Sequence, residues 1–292
     1  MIISASRRTD IPAFYSKWFL NRVREKQCLV PNPFNKNQVS RVSLAPEDVD
    51  AFVFWTRNPR PMLSRLDELD ALGYSYYFLY TLIGYPKRID PGCPPMESVL
   101  ETFLDLASRV GPDRVIWRYD PIILAGAADV AFHENRFRKI AETLNGLTRR
   151  CVVSFARTYR KAKKRVDDAI PGGIPAPDFA DPALRGLLHF MASIAREQGI
   201  RMYNCAGEQD LTEFGIGPGK CIDGELIARL SGKPIAIVKD SSQRAECGCT
   251  VSKDIGMYDT CLFGCSYCYA TSSLSRARSN FLRHDPGSPS LI

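Results

Sequence analysis

Three cysteines stand in the run Cys261-Leu-Phe-Gly-Cys265-Ser-Tyr-Cys268. Thiolates at Cys-x3-Cys-x2-Cys spacing are placed to hold three corners of an iron–sulfur cubane. No fourth cysteine follows at ferredoxin spacing, which leaves one iron open to a substrate or another small molecule, and Gly264 suits the close backbone approach that wrapping a cluster demands. Zinc is the other soft-metal reading of these thiols. Structural zinc usually takes four ligands, commonly from two Cys-x2-Cys knuckles, and Cys265 with Cys268 forms the one such pair in this sequence.

Cys247-Gly-Cys249 is a second signal. A Cys-x-Cys pair cannot complete a metal site alone, and the best-placed partners are Cys205, at the end of an expected strand, and Cys221, in a Gly-rich turn. Cys205, Cys221, Cys247 and Cys249 together make a closed four-thiolate site for an auxiliary iron–sulfur cluster or a structural zinc. The alternative for Cys205 and Cys221 is that of ordinary buried apolar thiols. Cys28, Cys93 and Cys151 have no motif spacing and are read as structural. His133, His189 and His284 are the histidines, and none supports a Cys/His dyad.

With Tyr267 at the aromatic place, the triplet resembles the Cys-x3-Cys-x-aromatic-Cys motif of the radical S-adenosylmethionine (radical SAM) superfamily. That resemblance implies a [4Fe-4S] cluster on Cys261, Cys265 and Cys268, with S-adenosyl-L-methionine chelating the unique iron through its amine and carboxylate. It also implies reductive cleavage to a 5′-deoxyadenosyl radical that abstracts hydrogen, Tyr267 near the adenine, and an electron donor such as flavodoxin or ferredoxin. In that superfamily the motif precedes the barrel, whereas here it follows the strands, so the order looks circularly permuted. Ser4-Ala-Ser-Arg-Arg-Thr-Asp10, Trp117-Arg-Tyr-Asp-Pro121, Tyr258-Asp-Thr-Cys261 and Tyr267-Cys-Tyr-Ala270 are similar to the family known as domain of unknown function 1848 (DUF1848). A weaker likeness, in Cys-Ser-Tyr-Cys-Tyr-Ala, Val53-Phe-Trp-Thr-Arg57 and Asp120-Pro-Ile-Ile123, is to spore photoproduct lyase-like radical enzymes.

The elements that must position these groups are short apolar runs alternating with longer amphipathic stretches, the pattern of a parallel sheet covered by helices. Strands are expected at 2–6, 51–56, 76–82, 114–118, 151–155 and 201–205. Helices are expected where Met96, Val99, Leu100, Phe103, Ala107 and Val110 repeat before Gly111-Pro112, and where Leu184, Leu187, Leu188, Met191 and Ile194 repeat before Gly199. Six β/α units predict an α/β fold of partial (βα)6 TIM-like barrel type, apparently a circularly permuted radical SAM barrel, over 1–240. A cysteine-rich extension at 241–292 is expected to pack on its mouth.

In such folds functional groups gather where strands end, and the residues there are polar: Arg7, Arg8, Thr9 and Asp10; Thr56 and Arg57; Arg118 and Asp120; Ser154 and Arg157; Asn204 and Glu208. Arginines can receive a methionine carboxylate bidentately, and Asp or Asn can take ribose hydroxyls. Polar loop starts are also ordinary in any soluble protein. The Pro/Gly-rich segment 170–182 reads as a cover for the site or a passive connection. Residues 233–238 read as a further strand, Gly215-Ile-Gly-Pro-Gly219 as a turn, and Tyr269 and Ala270 as the start of a helix carrying 272–282.

Composition bounds the setting. The chain has 292 residues, 45% hydrophobic and 24% charged, enough for one large core. Its start is too short in apolar length and too early in charge for a signal peptide, and no run reaches membrane-span length, so the expected location is the cytoplasm. Ten cysteines in a reducing compartment favour metal or catalysis over disulfides. A formal charge of +7 suits an anionic substrate or a nucleic acid. The dense basic run at 157–165 reads as an exposed helix surface.

Overall fold

Alternation along the strands decides the architecture. In a strand, successive side chains face opposite sides. Phe52 and Phe54, Tyr76 and Phe78, Val115 and Trp117, and Cys151 and Val153 join one core, while Ala51 and Val53, Tyr77 and Leu79, Ile116 and Val152 join another. Strands apolar on both faces belong inside a parallel sheet covered on both sides. The computed structural model describes residues 1–292 except Lys36, Ala206 and Glu208.

Its strands are β1 (Ile2–Ala5), β2 (Gln27–Pro31), β3 (Val39–Ser43), β4 (Ala51–Thr56), β5 (Tyr76–Thr81), β6 (Val115–Ile122), β7 (Arg150–Phe155), β8 (Arg201–Cys205), β9 (Gly217–Gly219) and β10 (Lys253–Asp254). Eight of them form one sheet in the order β10-β1-β4-β5-β6-β7-β8-β9. Every pairing in it is parallel. All six expected strands are present as consecutive neighbours, with β10 and β9 at the two ends of the order, and no pairing between these two closes the sheet into a barrel among the described residues. β2 and β3 form a separate antiparallel hairpin.

The larger core lies on the face covered by the long helices, including Met96–Val110, which ends at Gly111 with φ 86°, and Pro182–Glu197. The smaller core lies on the opposite face, closed by Ile222, Leu226 and Ile227 around the helix Gly224–Ser231 and by Cys221, Cys247 and Cys249. No described helix is long and apolar enough to cross a membrane.

Three local expectations are corrected. Residues 233–238 form no strand; Pro234 supplies no N–H, and Lys239 alone makes an isolated bridge, to Thr250. Part of the expected turn at 215–219 is the edge strand β9, whose Gly219 lies so close to β8 that a Cβ would fall 2.9 Å from the Asn204 carbonyl oxygen. The last helix begins at Leu274, later than expected, because the Ser273 side chain caps it by accepting from the Arg276 N–H.

His133 is a core group. Its Nε2 donates to the Ile123 carbonyl at 2.9 Å and its Nδ1 accepts from the Tyr119 hydroxyl at 2.8 Å, which requires the neutral ring. Burial draws its pKa from 6.5 to about 4. The unfolded chain therefore binds an extra proton between these values, and stability falls as pH drops from about 6.5 towards 4. The contribution lost is about 3 kcal/mol. Urea unfolding at pH 7 and pH 4.5 is expected to show the wild type losing about 2 kcal/mol more on acidification than His133→Gln, since the opposite contribution of the raised Asp10 carboxyl is common to both proteins; parallel curves exclude His133 as the source of the difference.

Candidate functional site

The inner sheet face is apolar at its N-terminal end and becomes polar at its C-terminal end. Val53 is followed on that face by Trp55, Ile116 by Arg118 and Asp120, Val152 by Ser154, and Tyr203 by Cys205. These side chains open into one cavity of about 860 Å³. Its walls include Arg7, Arg8, Asp10, Thr56, Arg57, Arg118, Asp120, Asn204 and Tyr267, together with Cys205, Cys221, Cys247, Cys249, Cys261, Cys265 and Cys268. Of the site residues expected from the sequence, Glu208 lies outside the described residues. The segment 170–182 contributes Ile174, Pro175, Ala176, Pro177 and Phe179 to an apolar wall of the cavity.

Arg7 and Arg118 both lie against Trp55, with guanidinium carbons 5.3 and 4.6 Å from its ring centre. The Arg118 guanidinium pairs with Asp120, whose carboxylate also accepts from the Ser154 hydroxyl. The register of β6 shifts between Tyr119 and Ile122, a bulge that aims Asp120 at the cavity. Asp10 caps the short helix Ile11–Phe14, accepting from the Ala13 N–H at 3.0 Å and from the Arg57 N–H at 2.6 Å. Burial pushes its carboxyl up to about 7 against those hydrogen bonds and one from Thr56.

Not every expected group is free for a ligand. Arg8 donates to the Gly256 carbonyl at 3.3 Å and lies over the Tyr258 ring, and the Asn204 amide donates to the Gln209 carbonyl at 3.0 Å. Thr56 and Asn204 both sit on the outer-face alternation of their strands, although both line the cavity. Tyr267 is tied by its hydroxyl to Arg57 and, at 3.3 Å, to Asp90.

The second cysteine group converges across long sequence separations. Cys205 and Cys221 have sulfurs 3.0 Å apart, and the Ile222 N–H donates to the Cys249 sulfur at 3.3 Å, beside Cys221 and Cys247. The neighbouring thiols of Cys221 and Cys247, the Ile222 N–H and the charge of Arg7 hold the Cys249 thiol far below its usual range, whereas Cys221 and Cys247 are pushed up. Arg7 is a cation that faces this group.

The triplet is held by loops from both ends of the chain. Lys253–Asp254 lies beside β1, and the Asp254 carboxylate accepts from Ser4, Ser6 and the Arg7 N–H at 3.0, 2.7 and 2.8 Å. The Tyr269 hydroxyl donates to the Arg7 carbonyl at 2.8 Å. Arg165, from the basic run, donates to the carbonyls of Cys268 at 2.6 Å and Ser272 at 2.8 Å. Only the C-terminal part of that run is helical, in Lys163–Ala169. Burial raises the Cys261 thiol to about 12, so a cation is needed to make it a thiolate at neutral pH. Seven thiols lining one cavity are a donor set for soft metals. The chain thus carries several cysteines near each other that could bind metal.

The histidines stand apart from these thiols: His189 packs edge-on against Phe214, and His284 packs on Tyr15 and donates from Nδ1 to the Leu291 carbonyl at 2.7 Å. Sequence reading missed Trp55, which spacing alone does not single out. It also missed Asp90 and Cys93. Among the described residues, Asp90, Cys93 and Cys265 bring their ligand atoms within 4.8 Å of one another. The signal was the Asp90-Pro-Gly-Cys93 loop after a strand, but nothing local points it at Cys265.

A family model described as "Domain of unknown function (DUF1848)" matches residues 2–270. The chain belongs to the DUF1848 family. The match takes in every strand of the DUF1848 sheet and both cysteine groups. No curated protein matches. A crystal structure of a "putative alpha-L-fucosidase" from Bacteroides thetaiotaomicron VPI-5482 is similar at 8% identity over 80% of this chain and 67% of that one, with a TM-score of 0.32. That likeness is too low to carry an argument about this DUF1848 protein.

Proposed function

We propose that this chain is an iron–sulfur enzyme of radical SAM type, acting on an anionic substrate in a reducing, cytoplasmic setting. The observation that carries the reading is the opening of both cysteine groups, with strand-end arginines and carboxylates, into one cavity. Cys261, Cys265 and Cys268 hold a [4Fe-4S] cluster, and the open sheet is the partial barrel behind it. When bound, the cluster and S-adenosyl-L-methionine supply a 5′-deoxyadenosyl radical.

The chain's own residues do the rest. Arg7 has a buried Nη2 without a partner, which suits a carboxylate, while Arg57 and Arg118 are engaged by Asp90 and Asp120 and set the local charge. Asp10 serves the ribose side, and the apolar wall from 174 to 179 limits the access of water to the cavity. Cys205, Cys221, Cys247 and Cys249 hold an auxiliary iron–sulfur cluster or a zinc that anchors the wall. A flavodoxin or ferredoxin supplies the electron.

Anaerobically purified protein is expected to be brown, to change its reduced EPR signal on addition of S-adenosyl-L-methionine, and to release 5′-deoxyadenosine with dithionite. No spectral response and no 5′-deoxyadenosine would remove the proposal. The second reading, a zinc-stabilised nucleic-acid or phosphate-binding module, draws on the exposed cations Arg160, Lys161 and Lys164 beside the triplet loop. It expects a colourless protein whose binding to RNA or DNA weakens steeply with salt.

A further inference from the structure

We infer that Cys93 is a fourth thiolate of the triplet's metal centre, held there in the free protein and exchangeable for an incoming small-molecule ligand. The inference rests on reading the triplet as a metal centre. Its first support is the loop that carries Cys93. Gly92 donates its N–H to the Phe263 carbonyl at 2.9 Å, and Ser266 donates to the Ile89 carbonyl at 2.9 Å, so the Asp90-to-Cys93 turn is laced to the triplet loop by backbone. At Gly92 a Cβ would stand 2.5 Å from the Phe263 carbonyl oxygen; the two backbones are in contact.

The second support is where the side chains end. The Cys93 sulfur, the Cys265 sulfur and an Asp90 oxygen lie within 4.8 Å of one another. The Arg57 Nη1 donates to the Cys93 sulfur at 3.1 Å and to Asp90 at 2.9 Å, a contact that favours a charged sulfur whether or not it is bound to metal. Asp90 is 2% exposed, and its other oxygen, Oδ1, is buried without a partner. A buried carboxylate oxygen with nothing to accept from marks a missing cation or donor at this point.

Cys93 and Cys265 also face different spaces. Cys265 lines the large cavity, while Cys93 lines a neighbouring one of about 410 Å³. Arg57 lines both. A thiolate displaced from the metal therefore has a polar place to go, beside Arg57, without leaving its loop. No electron is gained or lost in this exchange: the incoming ligand takes the position, and the sulfur keeps its charge against the guanidinium.

The test uses full-length protein reconstituted anaerobically with iron and sulfide, as wild type, Cys93→Ala and Cys93→Ser. The second cysteine group is common to all three, so differences report the triplet. Mild ferricyanide oxidation is expected to strip one iron in four from the triplet cluster of Cys93→Ala, giving a three-iron EPR signal that the wild type shows only weakly. Cys93→Ser keeps the shape of the site and is expected to behave like the alanine variant. S-adenosyl-L-methionine, as the probe ligand, is expected to bind both variants about tenfold more tightly, because no side chain competes for the position. Equal resistance to ferricyanide with unchanged ligand affinity overturns the assignment of Cys93 and leaves the triplet reading standing. Full iron retention in Cys261→Ala/Cys265→Ala/Cys268→Ala instead overturns the triplet reading itself.

Discussion

Gly92→Ala is expected to lose more than half of the iron bound at the triplet while the sheet remains folded. The methyl group would stand 2.5, 2.8 and 2.9 Å from the Phe263 oxygen, Cα and carbonyl carbon, all of them backbone atoms that no rotamer change can move aside. Gly92 has no left-handed φ, so the constraint is space and not conformation. Relief requires the 89–93 loop to part from the 261–268 loop, breaking the Gly92 and Ser266 hydrogen bonds together. Overpacking of this kind costs about 1–3 kcal/mol. The cost falls on two loops at the C-terminal ends of strands, while β5 and its neighbours keep their ladders and cores. Iron and sulfide counts on anaerobically purified variant, set beside its circular dichroism and melting temperature, check the expectation. Wild-type iron content with intact spectra would show that the contact between the loops is not needed to form the site.

The same contact shows what sequence reading can and cannot reach. The strands were legible because each is a run apolar on both faces, and the cysteine triplet because its ligands are local. Strand-end polarity was legible as a class. It blurred one distinction that period-two alternation makes: Trp55, Arg118, Asp120, Ser154 and Cys205 share the inner face, whereas Thr56 and Asn204 belong to the outer one. β9 and β10 were not legible. Gly217-Pro-Gly219 and Lys253–Asp254 are too short and too poor in strand formers to announce themselves, and they exist because β8 and β1 offer unpaired edges. Cys93 was read as structural because its relation to Cys265 is made by tertiary contact between distant loops. Barrel closure was not readable either, since six strands of suitable spacing fit an open sheet as well as a curved one.

Cys205→Ser/Cys221→Ser is expected to release the metal of the second group, to leave the triplet's metal in place, and to lower stability by about 4 kcal/mol when free metal stands at a thousand times Kd. The size follows from what the four thiols join. Cys205 ends β8, Cys221 precedes the helix Gly224–Ser231, and Cys247 and Cys249 come from the segment that continues towards β10. These pieces close the smaller core, whose apolar members from the strands are Ile2, Ala51, Val53, Tyr77, Leu79, Ile116 and Val152. Among the described residues that core has no long helix of its own, so a metal bound at its cysteines would substitute for packing that the fold does not supply. A bare loss of two buried thiols would also destabilise, because serine hydroxyls in the same place need partners, at about 1–3 kcal/mol each. Chelation separates the two causes. If a metal ties the pieces together, a strong chelator lowers the wild-type melting temperature towards that of the double variant and leaves the variant where it was. If the thiols merely pack, the chelator moves neither protein through this site, and the four-thiolate centre is removed from the account of the fold.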